Sequence, residues 1–288
     1  MHEHENLTAS DLLAELDLPV AVGRRKEILE AFADALEPLY RVIADADRSS
    51  HADGNVVFAI FHLAGRSVSD LLAAGHLASH AYLQQAYGAM RPVYENCDLL
   101  ELVARDPAEA AEWVNTEKPW ATFSPRAVRG RLKTAPDPVY SHITESGTHP
   151  RFAGSRLSGV MQVAQDEAST RTLVFRVGSF FPEHPAAVHI YGFLFESVVR
   201  LGFKLRHLTL VSERTTHDTW CDAFLESAIA VRRGCKIIHA ELVALDVAGE
   251  GTGFLETVYT DLVEGLQPGG RLRTGDPCPE VEAIVEPI

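Results

Sequence analysis

The sequence predicts a mainly α fold, a multi-helix bundle with one small inserted β-hairpin. Three observations predict it. Apolar residues recur at three and four along most of the chain, the spacing of one helix face. Three dipeptides, Asp106-Pro107, Ser124-Pro125 and Asp137-Pro138, pair a capping side chain with a proline at the first helical position. The cap accepts an orphan N–H, and proline has none to lose. Only between Leu157 and Val177 does the apolar period drop to two, around a polar turn at Asp166 to Thr170, which reads as a hairpin.

The elements follow in order. Ile28, Leu29, Phe32, Leu36, Leu39, Tyr40 and Ile43 mark an amphipathic helix from Lys26 to Asp47, and a second apolar helix runs from Asn55 to Ala74. Gly75 stands where a left-handed cap would end it, so a third helix is expected from His76 to Arg105. Glu109 supplies a capping-box carboxylate to the helix begun by Asp106. Beyond Phe180-Phe181-Pro182, helical spacing returns from Val188 to Val211, and a long helix from Thr219 to Val247 ends at Gly249. A short helix near Phe254 to Leu266 precedes a proline- and glycine-rich end. The implied organisation is a flexible N-terminal segment (1–24), a single helical domain (25–267) with the hairpin near 157–177, and an irregular tail (268–288).

Composition narrows the class. A chain of 288 residues, 46% of them hydrophobic, can bury a large core. With 26 basic and 40 acidic residues the net charge is −14, which repels phosphate backbones and disfavours nucleic acid as a partner. The four cysteines, Cys97, Cys221, Cys235 and Cys278, show no C-x-x-C pair and no zinc-ligand spacing. A reduced, cytoplasmic setting is therefore expected. His62, Arg66, His189 and Glu196 interrupt the greasiest stretches, so no membrane span of about 18 apolar residues is expected. Ferritin-like E-x-x-H pairs do not occur, so no metal is assigned, and no cofactor is specified.

The candidate site comes from helical geometry. At about 100° per residue, His76, His80, Gln84, Tyr87, Arg91, Glu95 and Asp98 fall on one stripe of the expected third helix. Pro92 cannot donate to the carbonyl of Gly88, so a kink is expected there. Downstream, Tyr140-Ser-His-Ile-Thr-Glu-Ser-Gly-Thr-His149-Pro150 places His142 three residues before Glu145, the spacing of a base and its orienter or of a surface ion pair. Gly147 is expected to turn the chain before His149.

Taken together, Asp70-Leu-Leu-Ala-Ala-Gly75, Ala81, Arg91-Pro-Val-Tyr-Glu95, Asp106-Pro107-Ala-Glu-Ala-Ala-Glu-Trp113 and the Tyr140-Ser141 and His149-Pro150 pairs resemble a large family of uncharacterised bacterial helical proteins. The resemblance covers about residues 55–155. It departs at Ile143-Thr144, where members often carry Leu-Ser. Because the family is a domain of unknown function, the resemblance implies a helical fold and a site around Arg91, Glu95, Tyr140 and His149, but no activity.

Three readings stay open. In the first, Arg91, Glu95, Tyr140, His142 and His149 line a pocket for a small anionic or carbonyl ligand, with Arg91 as the anchor and His142 or His149 as acid/base. In the second, the chain is a non-catalytic module that self-associates or binds a protein through its apolar helices at Val188–Val211 and Thr219–Val247, and Arg91–Glu95 is a structural ion pair. The third is a helical ribonuclease of the defence or toxin type using Arg200 and His207, whose spacing fits R-x(4-6)-H.

Overall fold

The computed structural model describes residues 24–46, 53–80, 82–135, 137–147, 160–165, 171–176 and 185–244. The described chain is mainly helical. α1 (Arg24–Asp45), α2 (Gly54–Ser79) and α3 (Leu83–Arg105) are followed by the shorter α4 (Pro107–Asn115), α5 (Pro119–Thr122), α6 (Pro125–Leu132) and α7 (Pro138–Gly147). The long α8 (Pro185–Lys204) runs into a 3-10 turn (Leu205–Leu210), and α9 (His217–Ala244) is the last helix among the described residues. Between α7 and α8 the backbone of Val160–Gln165 pairs antiparallel with that of Arg171–Arg176. The N-terminal segment before residue 24, the short helix near Phe254 and the tail lie outside the described residues, as does His149.

α8 is the axis of the bundle. Val188, Ile190, Leu194, Phe195, Val198 and Leu201 are fully buried, and the helix packs on α1, α2, α3 and α9. Its apolar residues thus pack in the protein's own core. α9 lies along α1, and α2 lies along α3. Among the described residues α2 is the one helix long and apolar enough to cross a membrane by length and composition, and here it packs against α1, α3, α4 and α8.

Two helix boundaries differ from the sequence expectation. Gly75 does not cap α2 but lies buried within it, because Leu77 and Ala78 continue the apolar face for another turn. The helix ends instead at the His76 carbonyl, which accepts from the Ser79 hydroxyl (2.7 Å) and the His80 N–H (3.3 Å). The His80 ring Nδ1 lies 3.0 Å from the same oxygen. α3 then starts only at Leu83, so the expected single helix from His76 to Arg105 is two helices. Local chemistry explains the others well. Asp106 caps α4 through the Ala108 N–H (2.9 Å), and Asp137 caps α7 through the N–H groups of Val139 (2.9 Å) and Tyr140 (3.1 Å). Ser124 precedes Pro125 as expected, yet its side chain makes no capping bond. Glu109 does not close a capping box either. The Asp106 N–H already donates to Leu102 (3.3 Å), and the Glu109 carboxylate pairs with Arg131.

Candidate functional site: the seam between α3 and α7

The stripe on α3 is neither a solvated face nor a continuous groove; α6 and α7 cover it. α7 runs antiparallel along α3, with Tyr140 beside Glu95 at one end and Gly147 beside Gly88 at the other. A methyl group on Gly147 would sit 2.4 Å from the Gly88 nitrogen and 2.7 Å from the Tyr87 carbonyl carbon. Gly147 thus lets two backbones touch; the turn expected after it lies outside the described residues.

Three of the expected site residues meet. Glu95 Oε1 accepts from Arg91 Nε at 2.6 Å and from the Tyr140 hydroxyl at 2.9 Å. The Arg91 and Glu95 side chains are 33% and 30% exposed, so the trio is open to water on one side. Burial works against the charged guanidinium, but Glu95 outweighs it and raises the Arg91 pKa above its ordinary value. Burial raises the Tyr140 phenol too, and the Glu95 charge adds to it, so Tyr140 is a donor here. The Tyr140 ring is covered from the other side by the Arg129 guanidinium at 3.8 Å, and Arg129 is held by Asp98 at 2.8 Å. Arg91, Glu95, Tyr140, Arg129 and Asp98 therefore form one polar chain across α3, α6 and α7.

His142 is not part of it. Its ring stacks on Phe193 of α8 (5.0 Å between centroids, 6° between planes) and meets Tyr87 edge-on at 5.7 Å. Desolvation lowers its pKa, partly opposed by the Glu145 charge. The expected base is thus a solvent-exposed ring stacked on Phe193, apart from the Arg91–Glu95–Tyr140 trio. Because its folded pKa lies below the unfolded value of about 6.5, the unfolded chain binds the proton more readily, and stability falls as pH drops through that range. Proton-detected titration should give His142 a pKa below 6.5, and Phe193→Ala should move it back up. A pKa unmoved by Phe193→Ala would show that the stack does not set it.

The ribonuclease pair is also separated by its contacts. Arg200 on α8 pairs with Asp137 (2.7 Å) and Glu196 (3.0 Å) and lies 4.4 Å over the Tyr94 ring. His207 sits in the 3-10 turn, with Nε2 3.1 Å from Glu101. They do not share one helix face, because the α-helix ends at Lys204 between them. Asp137 thus both caps α7 and receives Arg200, which docks the start of α7 on α8.

Sequence reasoning missed the most concentrated charge among the described residues. The Glu101 carboxylate, 6% exposed, accepts from Lys204 (2.7 Å) and Arg206 (2.9 Å), and Arg105 (2.8 Å) and His207 join it. Only Arg105, four residues away, could have been read from spacing. Also missed is the Cys221 thiol, whose Sγ lies 3.4 Å from His217 Nε2. Cys97 and Cys235 are buried, which pushes both thiols up to about 12 and makes them poor nucleophiles. Among the described residues no group of three or more His, Cys, Asp or Glu side chains is placed to hold a metal ion.

No family model, curated protein or solved structure matches the chain.

Proposed function

We propose that the protein is a non-catalytic helical binding protein whose α3–α7 seam takes a small anionic or carbonyl ligand on Arg91 and Tyr140. The observation that supports this reading is the convergence of both donors on a single oxygen of Glu95 at a position open to water. A partly exposed i,i+4 ion pair is worth only about 0.5 kcal/mol, so an incoming acceptor can displace Glu95 at little cost. The guanidinium then offers paired donors and the phenol a third. The placement of the His142 ring on Phe193, away from Arg91 and Tyr140, leaves the trio without an imidazole and favours binding. In the same reading residues 25–267 are one cytoplasmic helical unit with an inserted hairpin, and the resemblance over about 55–155 supplies the site but no activity.

A thermal-shift titration tests this with acetate and pyruvate as probes. Pyruvate should raise the melting temperature of the wild type and leave Arg91→Ala unshifted, while Arg91→Ala itself costs less than about 1 kcal/mol. A second reading is favoured by the Tyr140 hydrogen bond, which satisfies Glu95 across two helices without any ligand: the trio would then be a latch fixing the register of α7 on α3. It predicts no probe-dependent shift and a non-additive loss of stability for Arg91→Ala combined with Tyr140→Phe.

A further inference from the structure

We propose that His76 and His80, at the end of α2, form a two-histidine site for a divalent late transition-metal ion, Ni2+ or Cu2+, separate from the α3–α7 seam. Of the 13 histidines in the chain only these two stand three or four residues apart, the spacing that puts two imidazoles on one helix face. The sequence joined both to the stripe of Arg91 and Glu95. The break between α2 and α3 sets them apart from it.

The two rings are paired. Their centroids lie 4.6 Å apart with planes at 40°. A metal bound at about 2.1 Å by one nitrogen of each ring stands roughly 3.2 Å from each centroid, so bonds at a right angle put the centroids about 4.5 Å apart, and tetrahedral bonds about 5.2 Å. The observed spacing fits the right angle, the geometry of Cu2+ and Ni2+ rather than of tetrahedral Zn2+. One ring is also oriented. The Ser79 hydroxyl gives its proton to the His76 carbonyl (2.7 Å), and His80 Nδ1 lies 3.0 Å from both of these oxygens. Nδ1 is therefore the protonated nitrogen, which puts the lone pair on Nε2. A ligating histidine is commonly held this way, through its other nitrogen, by a backbone carbonyl.

The frame under the rings is fixed. The Tyr82 N–H donates to the Leu77 carbonyl at 2.9 Å, and the Tyr191 hydroxyl of α8 donates to the Ala78 carbonyl at 3.4 Å, so the turn that carries both imidazoles is tied to the core. His76 is exposed and His80 half-buried, which lets an ion in from solvent. The end of a 26-residue helix is its negative pole, and a chain of net charge −14 draws cations. Two protein ligands leave the remaining positions to water. Imidazole nitrogens suit Ni2+ and Cu2+, whereas Mg2+ takes oxygen.

Isothermal titration of the full chain with Ni2+ tests it, in a His2→Asn, His4→Asn background that removes the competing N-terminal imidazoles. We expect saturable Ni2+ binding and no Mg2+ binding. His76→Gln should weaken Ni2+ by at least about tenfold, the lower bound for losing even an outer-shell partner of a ligand. It should leave the melting temperature of the metal-free chain unchanged, because the contacts that end α2 use the His76 backbone carbonyl. His80→Gln should weaken binding likewise, whereas His62→Gln on the same helix and Arg91→Ala in the seam should not. Ni2+ is paramagnetic, so the ring signals of His76 and His80 should broaden together in the proton spectrum at substoichiometric metal. Ni2+ binding no tighter than Mg2+ overturns the proposal. So does equal Ni2+ affinity in His76→Gln, or broadening confined to one of the two rings.

Discussion

Gly234→Ala is expected to destabilise the protein by about 3 kcal/mol. A methyl group at this position of α9 would fall 2.0 Å from Phe195 Cζ and 2.4 Å from Cε2, well inside van der Waals contact. The Phe195 ring has nowhere to go: it is fully buried and meets the equally buried Phe32 edge-on at 6.3 Å. Overpacking of this kind costs about 1–3 kcal/mol and sometimes more, and ejecting the ring would cost about as much as truncating it, roughly 3–5 kcal/mol. Alanine's better helix propensity returns only about 1 kcal/mol. Urea denaturation of Gly234→Ala, Phe195→Leu and the double variant checks this. Phe195→Leu should lower stability alone but recover part of the loss when combined with Gly234→Ala, and a Gly234→Ala variant as stable as wild type would refute the clash.

The second large effect is expected from Glu101→Gln, a loss of about 3–5 kcal/mol at neutral pH. The substitution keeps the shape and removes a charge with which Lys204, Arg206 and Arg105 all pair. Burial alone would raise the Glu101 pKa, but the hydrogen bond from His207 and the charges of Lys204 and Arg206 overcome it and hold the carboxyl well below the usual range. Its contribution is thus fully present above the unfolded value of about 4.3. It fades as pH falls below that value, where the unfolded chain takes up the proton first. Paired denaturation curves should therefore show the difference between wild type and Glu101→Gln shrinking below about pH 4. A difference that stays constant from neutral pH down to about pH 3 would mean that charge is not what Glu101 supplies.

Helix starts at Asp106 and Asp137 were legible because a cap and a proline act within three residues of each other. Gly75 was misread because glycine both ends helices and fills tight places within them, and only the neighbouring helix decides which. The stripe on α3 was legible as a set of positions. Its cover was not, since α6 and α7 reach it from far along the chain, as in the Arg129–Asp98 pair at a separation of 31. Arg91, Glu95 and Tyr140 were named from sequence and do meet. His142 was named with them, yet Phe193, on a later helix, claims its ring. The Glu101 cluster stayed hidden for the same reason: Lys204, Arg206 and His207 lie 103, 105 and 106 residues away.

The pairing of α1 with α9 has a consequence during synthesis. The Ser227 hydroxyl donates to the Ala35 carbonyl at 2.7 Å across 192 residues of chain, and ion pairs Arg41–Glu226 and Arg233–Asp34 flank it. α1 thus leaves the ribosome well before its partner. At about 5–20 residues per second, Ala35, whose carbonyl accepts from Ser227, waits roughly 10–40 s for α9. Nascent chains released before residue 217 should accordingly leave the α9-facing side of α1 uncovered, while α2 and α8 can already pack on its other sides.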